Sequence, residues 1–128
     1  MSLRTRLIPL LLAAGLVASP TAAWQSQNNF QVRQLDQNRF EVRSRGGLSN
    51  SDAWCAAGDF VIRGLGLPRS TTIWRISEPP RPSGQGIVFS LSPEGAASTT
   101  GLVGSGGNSA SANHGQNICA SLREIRRR

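Results

Sequence analysis

The chain of 128 residues contains no lysine and no tyrosine, a single histidine, and only two cysteines. Without lysine, the glycine-rich stretch Gly101 to Gly107 cannot be a phosphate loop, and it also lacks the strand-to-helix context of one. It reads as a flexible loop. Two cysteines and one histidine would make three metal ligands, but CxxC and HxxxH spacings are absent, so neither a metal nor another cofactor is expected. Aromatic residues are 5% of the chain and do not interleave with the basic ones, so no nucleic acid is expected as a partner. Only seven acids are present. Asp52 and Asp59 stand seven apart, about 10 Å along a helix, near the upper limit for a hydrolytic carboxylate pair. A capping role for Asp52 and an ion pair for Asp59 are the simpler readings.

Beyond the N-terminal region no segment is apolar enough to span a bilayer. That region is itself distinctive. Arg4 and Arg6 precede the apolar run Leu7 to Val17, followed by Pro20 and Thr21-Ala22-Ala23. This is the three-part layout of a secretory signal peptide over residues 1–23, cleaved after Ala23. The apolar run is far short of the ~20 residues of a spanning helix. No cysteine stands at the cleavage site, so a lipoprotein is not expected. The predicted setting is periplasmic or secreted.

The remaining chain, 24–128, suits one domain that buries roughly 65% of the surface its unfolded form exposes. Such a core has little stability to spare. Export places Cys55 and Cys119 where disulfides persist, and one pair allows one intramolecular bridge. In the chain-entropy model a loop of this length contributes about 4 kcal/mol. Every basic residue is arginine, and from Trp24 onward twelve arginines face seven acids. Most arginines alternate singly with apolar residues, as on the solvent face of strands. The only cluster is terminal: Arg123 and Arg126-Arg127-Arg128.

The fold is organised around Ser51 to Leu67. At 100° per residue, Trp54, Ala57, Val61 and Leu65 share a stripe flanked by Ala53 and Phe60. Asp59 and Arg63 fall opposite, as an exposed i,i+4 pair. Asn50, Ser51 or Asp52 would cap the start, and Gly64 or Gly66 with Pro68 would end the helix. Before it, Trp24 to Asn29 reads as a loose polar arm. Phe30, Val32, Phe40 and Val42 then alternate around the turn Asp36-Gln37-Asn38, predicting a hairpin. After the helix, Thr71 to Ser77 and Ile87 to Ser92 predict a second hairpin, with Ile87, Phe89 and Leu91 toward the helix. Its tip, Glu78 to Gly86, is stiffened by prolines. Residues 93–117 form a Gly/Ser-rich loop, in which Gly101 to Gly104 is the piece suited to a sheet edge. The segment 118–125 alternates at Ile118, Ala120 and Leu122, yet also offers Ile118, Leu122 and Ile125 at helical spacing. A terminal strand is favoured, because it would anchor Cys119 beside the helix. The basic tail 126–128 is expected to fray.

The resulting class is α+β: a small antiparallel sheet in the order β-β-α-β-β with a terminal strand, covered by one helix and stapled once. Trp54-Cys55-Ala56-Ala57-Gly58-Asp59, then Gly64-Leu65-Gly66, then Gly86-Ile87-Val88-Phe89-Ser90-Leu91 resembles a family of small secreted alphaproteobacterial proteins. The resemblance spans most of 24–128 and implies a bacterial periplasmic setting. It brings no activity or catalytic residue with it.

Three functions follow as expectations. The first is a monomeric, non-catalytic binding domain whose partner is another envelope protein, held by arginine charge complementarity. Its candidate surfaces are the tip with Arg81, the glycine-rich loop, and Trp74, should strand alternation turn that ring outward. The second is a thiol hydrolase or transferase with Cys55 as nucleophile, activated at the helix start, and His114 as base. The third is attachment to an anionic envelope surface through Arg126, Arg127 and Arg128.

Overall fold

The computed structural model describes residues 23–104 and 106–128; the signal peptide expected over 1–23 lies, but for Ala23, outside the described residues. Alternation produces the first three strands, β1 (Trp24–Gln25), β2 (Gln31–Gln34) and β3 (Arg39–Val42). Asp36 closes the β2–β3 turn: its Oδ1 accepts the N–H groups of Asn38 and Arg39 at 2.9 and 2.8 Å. The second hairpin is β4 (Thr72–Arg75) and β5 (Ile87–Ser90), and β6 (Ser109–Ser111) completes a fully antiparallel sheet. The spatial order is β1-β2-β3-β5-β4-β6. β5 lies between β3 and β4, so the chain leaving β3 must cross the sheet through a helix before it can lay down β4.

That helix is α1 (Asn50–Asp59), continued by one π-helical turn over Phe60–Gly64. Ser49, one residue earlier than expected, is the cap and accepts the Asp52 N–H. Leu67 N–H closes on Val61 C=O at 3.0 Å, with Gly66 at φ +68°, ending the helix at the expected glycine. Trp54, Ala57 and Val61 are fully buried, but Leu65 is 37% exposed, because the wider turn carries it off the stripe. The sheet's inner face supplies Val32, Phe40, Val42, Ile73, Ile87 and Phe89, all buried. An aromatic chain runs Trp24–Phe60–Phe40–Phe89–Trp54, with centroids 5.5, 4.9, 5.9 and 4.8 Å apart.

The fold is α+β with one disulfide, as the sequence predicts, but it has two helices rather than one. The terminal segment is not a strand: α2 runs from Ala112 to Arg127. Helical spacing of Ile118 and Leu122 wins over alternation because the β4 edge is already taken by Ser109–Ser111. Ser111 then caps the helix by accepting the His114 N–H. Strand β6 and the first turns of α2 therefore fall inside 93–117, whereas Gly101 to Gly104 joins no strand. The helix continues through Arg127, so the arginine tail is mostly its last turn, where positive charge complements the dipole.

α2 packs on α1 rather than on the sheet, leaving α1 sandwiched, with every residue from Ala53 to Asp59 buried. Cys55 and Cys119 join the two helices with Cα atoms 4.9 Å apart. The N-terminal arm is not loose. β1 pairs with β2, Asn28 Nδ2 donates to Asp52 C=O at 3.0 Å, and Gln27 reaches Asp59.

Candidate functional site

The alternation that buries Val32, Phe40 and Val42 turns Arg33, Glu41 and Arg43 to the other face, which carries no helix. Register sets Arg33 opposite Glu41, and Arg33 Nη2 meets Glu41 Oε1 at 3.1 Å. Glu41 is the one acid in this region, and that pair neutralises it. The N–H of Arg43, two residues further on, donates to Gln31 C=O at 2.9 Å, but its guanidinium makes no hydrogen bond or ion pair among the described residues. Arg45 donates only a long bond of 3.4 Å to Asn29 C=O.

The proline-rich tip adds a fourth guanidinium. Arg81 Nη1 donates to Gln85 C=O at 2.7 Å and Pro82 C=O at 3.3 Å, which ties the side chain into its own loop. The tip's acid, Glu78, is engaged elsewhere: its carboxylate accepts the hydroxyl and the N–H of Ser98. Those two bonds, the hydroxyl's first, hold its pKa below the ordinary carboxylate value. Three adjoining depressions link these groups. One of about 270 Å³ holds Arg43, Arg45 and Gln31; one of about 350 Å³ holds Arg33, Glu41, Arg43 and Val88; one of about 200 Å³ holds Arg81, Ser83 and Gly47. Ser44 lines all three, Arg43 the first two and Gly84 the last two, so they adjoin one another, and we treat them together as a groove. Gly86 keeps β5 tight against its floor, where an added Cβ would lie 2.5 Å from Val42 O. Trp74 lies half-buried on the same outer face of the sheet, opposite Ser90.

The other candidates have structural places. Cys55 and Cys119 are 0% and 2% exposed and bonded to each other, so no thiol faces His114. His114 is exposed on the first turn of α2, beside Ser51 and Val103 in a shallow depression. Asp52 meets Arg126 at 3.9 Å, which draws one tail arginine onto α1. Arg127 and Arg128 are exposed.

The burial of two charges went unread in the sequence, although the expected Asp59–Arg63 pair forms. Asp59 is fully buried, not on an exposed face, because α2 and the arm cover that side of α1. It accepts Arg63 Nη1 at 2.9 Å, Gln27 N–H at 2.9 Å and Gln116 Nε2 at 3.1 Å. Arg75 is fully buried too. Its Nη1 donates to Asn50 Oδ1 at 2.6 Å and Thr100 C=O at 3.2 Å, and its Nε to Ser77 C=O at 2.7 Å. Nη2 is buried without a partner among the described residues. Desolvation pushes this guanidinium's pKa down, against the opposing pull of Glu78. Both residues knit elements together. The groove arginines were legible as outward-facing, but only the approach of the tip and the Ser44–Gly47 loop gathers them.

No family model, curated protein or solved structure matches the chain. No helix among the described residues is long and apolar enough to cross a membrane.

Proposed function

We propose that this protein is an exported, non-catalytic binding domain that holds an anionic partner in the arginine groove on its open sheet face. The observation that carries this reading is the meeting of Arg33, Arg43, Arg45 and Arg81 around one groove whose single acid is already paired. Guanidinium groups are weakly hydrated and offer forked donors, so they suit oxyanion ligands. The signal-peptide pattern and the internal disulfide support a periplasmic or secreted setting. The domain's other polar clusters, around Asp59 and Arg75, are taken up in holding the fold, and the buried bridge withholds the thiol that a Cys55/His114 enzyme needs.

The test is binding of the processed chain to polyglutamate across a salt series. Exposed charges are screened over about 10 Å at 0.1 M salt, so binding should weaken steeply as salt rises. Replacing Arg43 and Arg45 together with Gln should abolish most of it, while removing Arg127 and Arg128 should not. Binding that follows the tail instead would move the site to α2; no binding at low salt would end the proposal.

A further inference from the structure

The end of the groove under the tip differs from the rest. Its depression of about 200 Å³ is walled on one side by Arg81, Ser83 and Gly84, and on the other by Ser44, Gly46 and Gly47. The wall groups that bear hydrogen-bonding side chains are one guanidinium and two serine hydroxyls, and no carboxylate is among them. The N–H groups of Gly46, Gly47, Ser83 and Gly84 donate to no protein acceptor among the described residues. A Cβ built on Gly46, Gly47 or Gly84 meets nothing within 4 Å, so the walls are backbone open to approach. Arg81 is held by its bonds to Gln85 and Pro82 through Nη1, leaving Nε and Nη2 without a partner among the described residues.

We propose that this pocket binds a phosphate group, making the groove's partner a phosphorylated rather than a purely carboxylate anion. The inference rests on the groove reading above and adds its ligand chemistry. A planar carboxylate is satisfied by one forked guanidinium. A tetrahedral phosphate presents oxygens in diverging directions, and takes donors from both walls at once. Arg43 and Arg45 continue the positive field away from the pocket, so neighbouring negative groups on the same ligand are accommodated along the groove. The phosphate is carried by a soluble chain or by a lipid headgroup; the chemistry at the pocket is the same.

The experiment titrates the processed chain with short-chain polyphosphate, with polyglutamate of equal charge, and with phosphatidylglycerol vesicles. Polyphosphate should bind about tenfold more tightly than polyglutamate, the advantage of added charge-assisted hydrogen bonds. Ser83→Ala, which leaves the tip's own bonds intact, should erase that preference without weakening polyglutamate binding, and Arg81→Lys, which keeps the charge but loses the fork, should weaken polyphosphate binding more than polyglutamate binding. Binding to vesicles alone, with the same dependence on Arg81, places the phosphate on a lipid and keeps the proposal. Equal binding of the two polymers overturns the phosphate pocket and leaves the groove standing. Polyphosphate binding that needs Arg81 but not Arg43 or Arg45 removes the groove reading and keeps the pocket. Binding of none of the three removes both.

Discussion

Gly58 of α1 and Gly115 of α2 face each other so closely that a Cβ added to either would lie 2.9 Å from the other's Cα. The same added atoms would lie 2.6 Å from Ala112 O and 2.5 Å from Trp54 O, both backbone atoms that cannot swing aside. This contact allows α2 to seal α1 and brings Cys119 within reach of Cys55.

Gly58→Ala and Gly115→Ala should therefore each destabilise the domain by about 1–3 kcal/mol or more, the cost of overpacking a closed contact. Gly106→Ala, where an added Cβ meets nothing within 4 Å, should stay within about 0.5 kcal/mol of the parent. Denaturant unfolding with the disulfide intact reads all three. A neutral result at both helix positions would contradict the close crossing.

The disulfide closes a sequence separation of 64 residues. Replacing both cysteines by serine should lower stability by about 4 kcal/mol in the chain-entropy model, a large share of what a domain this small holds. Intact mass with and without reduction, followed by alkylation, should find no reactive thiol before reduction. Two thiols that alkylate readily would remove the bridge and return the Cys55/His114 pair to contention.

Asp59, itself fully buried, collects Arg63, Gln27 and Gln116. Asp59→Ala strands those donors and should cost about 1–3 kcal/mol. The loss should appear first in the arm: hydrogen exchange at the Gln27 amide should accelerate more than exchange in β3. Equal acceleration at both would mean that Asp59 supports the fold as a whole and not the arm in particular.

Glu78 accepts two bonds from Ser98, and its folded pKa lies below the ordinary 4.5. The unfolded chain then binds the proton first as pH falls. The stabilisation is complete above about pH 4.5 and disappears as pH drops through the lower, folded value. Asp36 behaves in the same sense through its bonds from Asn38 and Arg39. The unfolding midpoint should fall as pH is lowered below about 4.5, and Glu78→Gln should flatten that slope. An identical slope in the variant would assign the acid sensitivity to Asp36 or another carboxylate.

The hairpins were legible because alternation at Phe30, Val32, Phe40 and Val42 states which face each strand buries. Trp54, Ala57 and Val61 declared one face of α1 in the same way, and counting two cysteines left one bridge to draw. A periodic pattern reports only the face an element turns to its first neighbour. Whether its other face is also covered depends on a second element arriving from far along the chain. Thus Asp59 reads as exposed until α2 lies over it, and Arg75 as solvated until Asn50 and Thr100 close around it. The segment 118–125 satisfies both periods, and occupation of the β4 edge by Ser109–Ser111 decided for the helix. The groove belongs to the same class. Outward arginines are set by strand parity, but their meeting with Arg81 depends on the tip folding beside the Ser44–Gly47 loop, a contact between segments about 35 residues apart that no local pattern encodes.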